Sequence, residues 1–443
     1  MRRKNMKCRL VLLLCLAVSV AAFSETISAK SYYVSPSGSG SQCTLASPCS
    51  VTTGLAKPSA GDEVVFLDGT YKQTVYVKKG GSSTAHVVVR ALNRHKAVVR
   101  VTNGPLARVW ANYVTIRGIV FDGGKTGGNK GAFRIGAGEE TSLPGPVHHV
   151  IVEDVVVRNT RAAGIIITSG EHDIIIRNSR IESTGHYEFW GEAFYLGSKY
   201  YSNQTVYNLE IYRNEVVGFT ENGLEAKKFS RNFDIHDNIF RNQVLWADYG
   251  GDKSEGNDGT ITLDGHSHKF YNNVLHSNKS GMGVFVLEPE ANHRVYNNII
   301  YNGVAPASSA IRMKDWSKTW SKGQHPPTLV YNNTFYNLPN HDVAKVNSSI
   351  LVIKNNLGIN CDGNLPKSKT VASLFKNCSA GDFRLVAGSA AIDQARSAPY
   401  SPVDFDGRPT SGSCRDLGAF EYFTGVDSLL LAPTRLRVVS IQE

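Results

Sequence analysis

The chain has 443 residues and a formal net charge of +10, from 48 Lys and Arg against 38 Asp and Glu. This length allows more than one globular domain, unless the chain is a repeat array that grows along one axis. Beyond the first 24 residues no stretch is apolar for long enough to span a bilayer, and no cysteine or histidine cluster has the spacing of a zinc site.

Residues 1–24 are typical of a secretory signal peptide. The segment has a basic start, an apolar run over residues 10–22 and small residues after it. Five of the 48 basic residues and none of the 38 acidic ones lie here, so removing the segment would leave a net charge of about +5. We therefore expect a secreted, extracellular protein whose modest positive charge is compatible with an acidic polymer.

The seven cysteines divide between the signal segment and the remaining chain. Cys43 and Cys49 flank a short polar loop and are predicted to form a disulfide in an oxidising compartment. Cys8 and Cys15 leave with the signal. The other three, whose pairing the sequence leaves open, are Cys361, Cys378 and Cys414.

Between residues 151 and 356 the chain repeats one pattern, an apolar strand that runs into Asn or Asp and then continues as another strand. The landmark residues are Asp154, Asn178, Asn214, Asn238, Asn273, Asn298, Asn333 and Asn356. Their spacings of 24, 36, 24, 35, 25, 35 and 23 residues fit solenoid coils with and without a loop insertion. No ten-residue run of helical period intervenes, which favours a parallel β-helix over a leucine-rich or ankyrin array. The asparagines are interpreted as a structural ladder, because Asn tolerates a left-handed bend and its amide can bond to neighbouring coils.

The two ends of the repeat region carry a family resemblance. The opening, with Tyr-Tyr-Val-Ser-Pro-Ser-Gly at 32–38 and Gly-Asp-Glu-Val-Val-Phe-Leu-Asp-Gly-Thr-Tyr at 61–71, resembles the N-terminal coils of secreted β-helix proteins related to pectate-lyase-like and chondroitinase-B-like polysaccharide lyases. The segments Asp-Phe-Asp-Gly-Arg at 404–408 and Asp-Leu-Gly-Ala-Phe-Glu-Tyr at 416–422 resemble the closing part of many such proteins.

The resemblance implies an all-β, single-stranded, right-handed parallel β-helix over residues 31–422. It leaves residues 423–443 as a C-terminal tail without an assigned role. It does not fix the reaction, because this superfamily holds lyases, hydrolases and epimerases.

A loop at residues 246–258 interrupts the repeats and carries four acidic residues. We interpret it as a solvated turn or, alternatively, as a calcium-binding or substrate-binding loop.

A second family of short strands follows the longer insertions. Strand alternation points every other side chain outward, and stacked coils about 4.8 Å apart would align these side chains in one stripe. The outward residues with charged or aromatic side chains are predicted to be Tyr195, Glu225, Lys227, Asp264, Phe285, Arg312 and Lys314. This composition is typical of a groove for a charged sugar chain, in which Tyr195 and Phe285 border the substrate.

β-Elimination of a uronic-acid glycan needs a cation beside the carboxylate, a base for the acidic proton and a donor for the leaving oxygen. In the resembling lyases calcium or a basic side chain fills the first role, and Lys or Arg often fills the second. Lys227 is the best candidate base, since partial burial among cations would lower its pKa. Arg312 can clamp a carboxylate, with Lys314 in support. Glu225 and Asp264 can hold Ca²⁺.

Lys227 is also expected to be exposed on the solenoid wall, so that Lys227→Ala would remove activity and leave the fold intact. The plainer interpretation is that Glu225 and Lys227 pair on one strand face. His266 and His268, at the end of the same strand as Asp264, can bind substrate or metal or act as acid and base, or are polar turn residues.

The sequence thus predicts a secreted polysaccharide lyase that acts on an acidic glycan. The alternatives are a non-catalytic β-helix that binds carbohydrate or cell-wall material, and a β-helix glycoside hydrolase. The expected partner is an acidic polysaccharide, with no nucleic acid and no membrane, and we expect a monomer. The paired-Asp signature of polygalacturonase-like hydrolases and the Asp-Pro-His signature of mannuronan epimerases are absent.

Overall fold

The computed structural model describes most of the chain between residues 29 and 424. The described ranges are 29–126, 132–136, 145–185, 191–200, 202–244, 259–280, 282–304, 309–314, 323–344, 349–361 and 363–424. The predicted signal peptide at 1–24, the acidic residues of the 246–258 loop and residues 425–443 of the tail lie outside the described residues.

Three long parallel sheets are formed within residues 31–354, and successive strands along the sequence rotate through the first, second and third sheet. The first sheet contains Ser31–Val34, Glu63–Phe66, Val87–Ala91, Val114–Arg117, His148–Glu153, His172–Arg177, Val206–Tyr212, Asp234–His236, Lys269–Tyr271, Arg294–Tyr296, Thr328–Tyr331 and Leu351–Lys354, and Ser230–Arg231 pairs with its seventh strand.

The strands of the other two sheets are mostly three residues long. The second sheet contains Gly69–Tyr71, Ala97–Val99, Val120–Asp122, Val156–Arg158, Arg180–Glu182, Glu215–Val217, Ile239–Arg241, Val274–His276, Ile299–Tyr301 and Thr334–Tyr336. The third sheet contains Val75–Val77, Ala107–Val109, Phe133–Ile135, Ile165–Ile167, Phe194–Leu196, Leu224–Ala226, Ile261–Leu263, Phe285–Leu287, Ile311–Met313 and Val343–Ala344. The predicted fold class, a parallel β-helix, is confirmed.

Helical structure is scarce in the described residues. The α-helix Val51–Leu55 packs against the first coil and contributes Val51 and Leu55 to the core. The 3₁₀ segments are Ser202–Gln204, Lys367–Lys369, Ala372–Leu374 and Cys378–Ala380. No helix among the described residues has the length and apolar character needed to span a membrane. The predicted disulfide between Cys43 and Cys49 is present beside this N-terminal end.

The asparagine ladder is present, and it divides two tasks between neighbouring residues. In the Asn-Asn pairs the first residue takes the left-handed conformation at the corner, as Asn272 does with φ of 53°. The second residue is buried: Asn273 donates from Nδ2 to Asn298 Oδ1 at 3.1 Å and to the Ile235 carbonyl at 3.0 Å. Asp154 and Asn178 take the corner position rather than the ladder position. Asn supplies both roles because it tolerates positive φ and carries a donor and an acceptor.

Removing one member of the ladder should be costly. Asn273→Ala deletes an amide that serves three coils and leaves buried backbone groups without partners, so we expect a loss of about 2 to 3 kcal/mol in the free energy of unfolding. Urea denaturation measures it, with Asn93→Ala as control, because Asn93 is exposed and bonds to exposed Asp68. Equal effects of the two substitutions would contradict a structural ladder.

The closing segment covers one outer face of the solenoid. The strands Phe375–Asn377 and Asp382–Leu385 form an antiparallel pair, and Phe375, Phe383 and Phe420 belong to a second apolar cluster that includes Ile299 of the second sheet. This part of the outer face of the second sheet is therefore packed with protein.

Candidate active site

The outward side of the third sheet carries the predicted stripe. In each three-residue strand the first and third side chains enter the core and the middle one points outward, as the burial of Leu224 and Ala226 around Glu225 illustrates. The strand pairing places the middle residues Tyr195, Glu225, Thr262, Val286 and Arg312 in one row. The residues directly after these strands form a parallel second row, which contains Lys227, Asp264, Glu288 and Lys314.

Phe285 does not lie in this stripe, so its prediction as a substrate-binding residue is wrong. Its ring is fully buried and packs against Phe270 and Phe335 in the core. Val286 holds the outward position instead, in register with Thr262. Apolar and polar residues do not alternate in this strand, so the sequence does not show which side chains face the core, and the predicted register is wrong by one residue.

Glu192, Tyr195, Lys199, Glu225 and Lys227 form the group that we call the Lys227 cluster. The Lys227 ammonium pairs with the Glu225 carboxylate, and its Nζ lies 3.8 Å from Glu192 Oε1. The same Nζ lies 4.1 Å from the centre of the Tyr195 ring. Lys199 approaches from a more exposed position, with its Nζ 3.9 Å from Glu225 Oε1.

The members of this cluster differ in how much of each side chain is exposed to solvent. Only 3% of Lys227 and 2% each of Glu192 and Glu225 are exposed, whereas Tyr195 is half-buried and about half of the Lys199 side chain is exposed. Tyr195 and Lys199 are therefore the accessible members of the cluster on this outer face, and the Lys227–Glu225 ion pair is buried beneath them.

The prediction that Lys227 is an exposed base with a lowered pKa is wrong in both respects. Burial alone would lower the pKa of Lys227, but the charges of Glu225 and Glu192 outweigh it, and the net shift is upward. Lys227 is therefore an ammonium ion at neutral pH, because its neighbours are carboxylates rather than the cations expected from the stripe.

The two carboxyl groups shift in opposite directions. Burial raises the pKa of Glu192 well above its usual range, with Glu221 adding to the shift. Burial acts the same way on Glu225, but the charges of Lys227 and Lys199 outweigh it, so the pKa of Glu225 is lowered. Burial and the neighbouring charges thus move the pKa values of these two adjacent carboxyl groups apart.

Glu192 and Lys199 were not among the predicted site residues. Both flank the strand Phe194–Leu196, one just before it and one shortly after it. A search restricted to alternating positions within strands misses such residues. The usable signal was the presence of charged residues at both ends of an apolar strand that neighbours Glu225.

The C-terminal part of the stripe is a separate group. Lys314 Nζ lies 2.5 Å from Asp264 Oδ2, and buried Glu288 lies between them in the row. Arg312 is three coil spacings from Glu225, or about 14 Å. Arg312 is therefore too far along the stripe to contact the same sugar unit as Lys227, whereas the Lys314 ammonium reaches Asp264, one coil from Lys227.

The two predicted histidines have different surroundings. His268 is fully buried, stacks on His293 at 5.0 Å and accepts from the Phe233 backbone N–H at 3.1 Å, so its predicted contact with substrate is wrong. Burial lowers the pKa of His268 well below its usual range. His266 is partly exposed and stacks on His325 at 4.2 Å. Burial, then the neighbouring His325, lowers the pKa of His266 to about 4, so it is neutral at pH 7.

The residues predicted to hold Ca²⁺ do not fit a calcium site as they stand. The carboxylate of Glu225 is neutralised by Lys227 and that of Asp264 by Lys314, whereas a calcium site needs several oxygen ligands with uncompensated charge. Within the described ranges, no three His, Cys, Asp or Glu side chains lie close enough together to hold a metal ion.

Glu171 borders the same outer face, and its carboxyl group makes the free energy of unfolding depend on pH. It is almost fully buried, and burial raises its pKa to about 7 despite the opposing effect of backbone N–H donors. Because the folded state then binds this proton more tightly than the unfolded state, stability should fall as pH rises from about 4.5 to 7.

We expect Glu171→Gln to remove this dependence. Relative to the variant, the parent protein should lose up to about 3 kcal/mol of unfolding free energy between about pH 4.5 and pH 8. Urea denaturation of both proteins at the two pH values measures the difference. The same pH dependence in both proteins would show that Glu171 does not titrate in this window.

No protein-family model and no curated protein matches the chain. Among solved structures it is similar to pectate lyase Pel9A, with a TM-score of 0.54 and 16% identity over 88% of this chain and 96% of that one. It is also similar to an alginate lyase from Paenibacillus sp. str. FPU-7, with a TM-score of 0.52 and 15% identity over 72% and 98%. A rhamnogalacturonan lyase gives a TM-score of 0.52 and 14% identity over 79% and 91%.

The likeness is one of fold. At these identities the three comparisons show that the chain shares the β-helix architecture of polysaccharide lyases. The assignment of an activity to the Lys227 cluster therefore rests on the chemistry of its side chains.

Proposed function

We propose that the protein is a secreted polysaccharide lyase that cleaves a uronic-acid-containing glycan by β-elimination at the Lys227 cluster. One observation carries the proposal: a fixed ammonium, Lys227, lies 4.1 Å from the ring of the half-buried Tyr195 on the outer face of the third sheet. The fold shared with pectate, alginate and rhamnogalacturonan lyases and the Cys43–Cys49 disulfide, which suits an oxidising compartment, support it.

Tyr195 takes the role of proton carrier in this proposal. Its side chain is half-buried, whereas Glu192, Glu225 and Lys227 are buried, and the other accessible member, Lys199, is a cation whose Nζ lies 3.9 Å from Glu225 Oε1. The phenolate form of Tyr195, beside the Lys227 ammonium, accepts the proton from the carbon next to the uronate carboxylate, and the electron pair of that C–H bond forms a carbon–carbon double bond. The bond from the adjacent carbon to the glycosidic oxygen breaks, and the Tyr195 hydroxyl donates the proton to this oxygen as it leaves, which restores the phenolate.

The lysines supply the charge that the step requires. Removal of the proton places negative charge on the uronate carboxylate, and preorganised cations beside that position stabilise it. Lys199 is exposed enough to contact the carboxylate directly. The Lys227 ammonium contacts the carboxyl groups of Glu225 and Glu192, which fix its position, and it places a positive charge behind Tyr195. Its upward pKa shift supports this electrostatic role rather than that of the base.

Glycoside hydrolysis is a second candidate. The pKa of Glu192 is raised and that of its neighbour Glu225 is lowered, and hydrolases use carboxyl groups with pKa values moved apart in this way as acid and base. Their burial behind Tyr195 ranks this candidate second, because a hydrolase needs both carboxyl groups at the substrate.

A product assay tests the proposal. The protein is incubated with pectate, alginate and chondroitin, and the ultraviolet absorbance of the unsaturated product and the release of reducing ends are followed together, with and without added Ca²⁺. A lyase produces both signals. Reducing ends without absorbance would indicate hydrolysis, and polymer binding without either signal would indicate a non-catalytic carbohydrate-binding protein.

A further inference from the structure

A second group of aromatic and cationic side chains lies at the N-terminal end of the third sheet. Tyr76, Lys78, Arg108 and Trp110 form this group, which we call the N-terminal platform. The rings of Tyr76 and Trp110 lie 5.3 Å apart between centroids. Lys78 Nζ lies 5.0 Å from the centre of the Trp110 ring, and Arg108 Cζ lies 5.7 Å from it.

The platform lies on the same outer face as the Lys227 cluster. Strand pairing places Tyr76, Arg108, Arg134, Ile166 and Tyr195 in one continuous row. Tyr76 is therefore four coil spacings from Tyr195, or about 19 Å. This distance exceeds the length of a disaccharide, so only a longer chain can contact both places.

The platform side chains contribute little to the core of the solenoid. The strands Val75–Val77 and Ala107–Val109 bury their first and third residues, while Tyr76 is 40% exposed and Lys78 is exposed. The two rings and two cations form one contiguous patch, and contiguous patches mark binding sites more often than single exposed rings do. The face of such a ring packs against the apolar C–H face of a sugar, and arginine binds a carboxylate through its planar fork.

We propose that the N-terminal platform is a second binding site for the acidic polysaccharide, which stacks a sugar ring on Tyr76 and Trp110 and pairs its carboxylate with Lys78 and Arg108. The identity of the ligand rests on the proposed function. The glycan then runs along the third sheet from the platform to the Lys227 cluster. The charge of the platform selects a uronate chain over a neutral one.

Calorimetric titration of the full chain with polygalacturonate and with alginate tests the platform. We expect Trp110→Ala and Tyr76→Ala to raise the Kd for the polymer that binds the parent by roughly tenfold. Tyr400→Ala is the matched control, because Tyr400 is also exposed and lies outside the third sheet. Lys78→Glu, at an exposed position, should weaken binding without a loss of fold that circular dichroism would detect.

The outcomes separate this inference from the proposed function. It is overturned if neither polymer binds the parent, if Trp110→Ala and Lys78→Glu bind as tightly as Tyr400→Ala, or if the methyl-esterified polymer binds as tightly as the acidic one. If the parent protein releases no product from any glycan, the proposed lyase activity is ruled out. Weaker polymer binding by Trp110→Ala and Lys78→Glu would still support polysaccharide binding at the platform.

Discussion

Lys227→Met is expected to lower the free energy of unfolding by about 3 to 5 kcal/mol, because it leaves buried Glu225 without its counter-charge. The structure thus reverses the sequence-based expectation that Lys227 could be replaced without affecting the fold. That expectation treated the residue as an exposed lysine, whereas only 3% of it is accessible. Urea denaturation at pH 7 measures the effect.

Two variants control this experiment. Lys269→Met removes a lysine whose side chain is 56% exposed and whose Nζ lies 3.5 Å from Asp234 Oδ2. This substitution should lower the free energy of unfolding by no more than about 1 kcal/mol. The double variant Glu225→Gln with Lys227→Met removes both charges of the pair and should recover part of the loss. If Lys227→Met costs no more than Lys269→Met, the buried ion pair does not stabilise the fold.

Tyr195→Phe is expected to reduce kcat by at least about a hundredfold, because it deletes the hydroxyl that carries the proton while keeping the ring beside Lys227. The ring still fills its position, so the melting temperature and KM should change little. Steady-state kinetics on the glycan identified by the product assay measure the effect. Tyr400→Phe, at an exposed tyrosine outside the third sheet, should retain the parent activity.

Full activity of Tyr195→Phe would place the proton transfer elsewhere. His266 is then the next candidate, because it is partly exposed and its lowered pKa of about 4 leaves it neutral at pH 7. A neutral imidazole can accept a proton. His268 is not a candidate, because it is fully buried in the core.

The sequence was sufficient to predict the fold because its signals are local and repeated. From Asn214 to Asn356 an Asn recurs at a fixed place in each coil and forms a buried amide ladder, and a left-handed corner precedes each of these positions. The register of a single strand is less certain where the pattern is uniformly apolar. Phe285 shows this, because only core packing against Phe270 and Phe335 decides which side it faces.

The site was harder to predict because the pKa of a side chain depends on residues distant in sequence. Alternation correctly placed Glu225 and Arg312 on the outer face. It could not show that Glu192, from the preceding coil, would approach Lys227 and raise its pKa rather than lower it. Alternation also does not give the distance between residues along the stripe, so the sequence alone does not show that Arg312 and Lys227 are too far apart to contact the same sugar.

The most direct test of the proposed function is the fate of solvent oxygen during cleavage. The parent protein is incubated with its glycan in water enriched in heavy oxygen, and the products are analysed by mass spectrometry. Elimination creates a double bond without adding water, so we expect unsaturated ends and no heavy oxygen incorporated by cleavage. Saturated products that carry one heavy oxygen per cleaved bond would contradict the lyase and assign hydrolysis to the Glu192 and Glu225 pair.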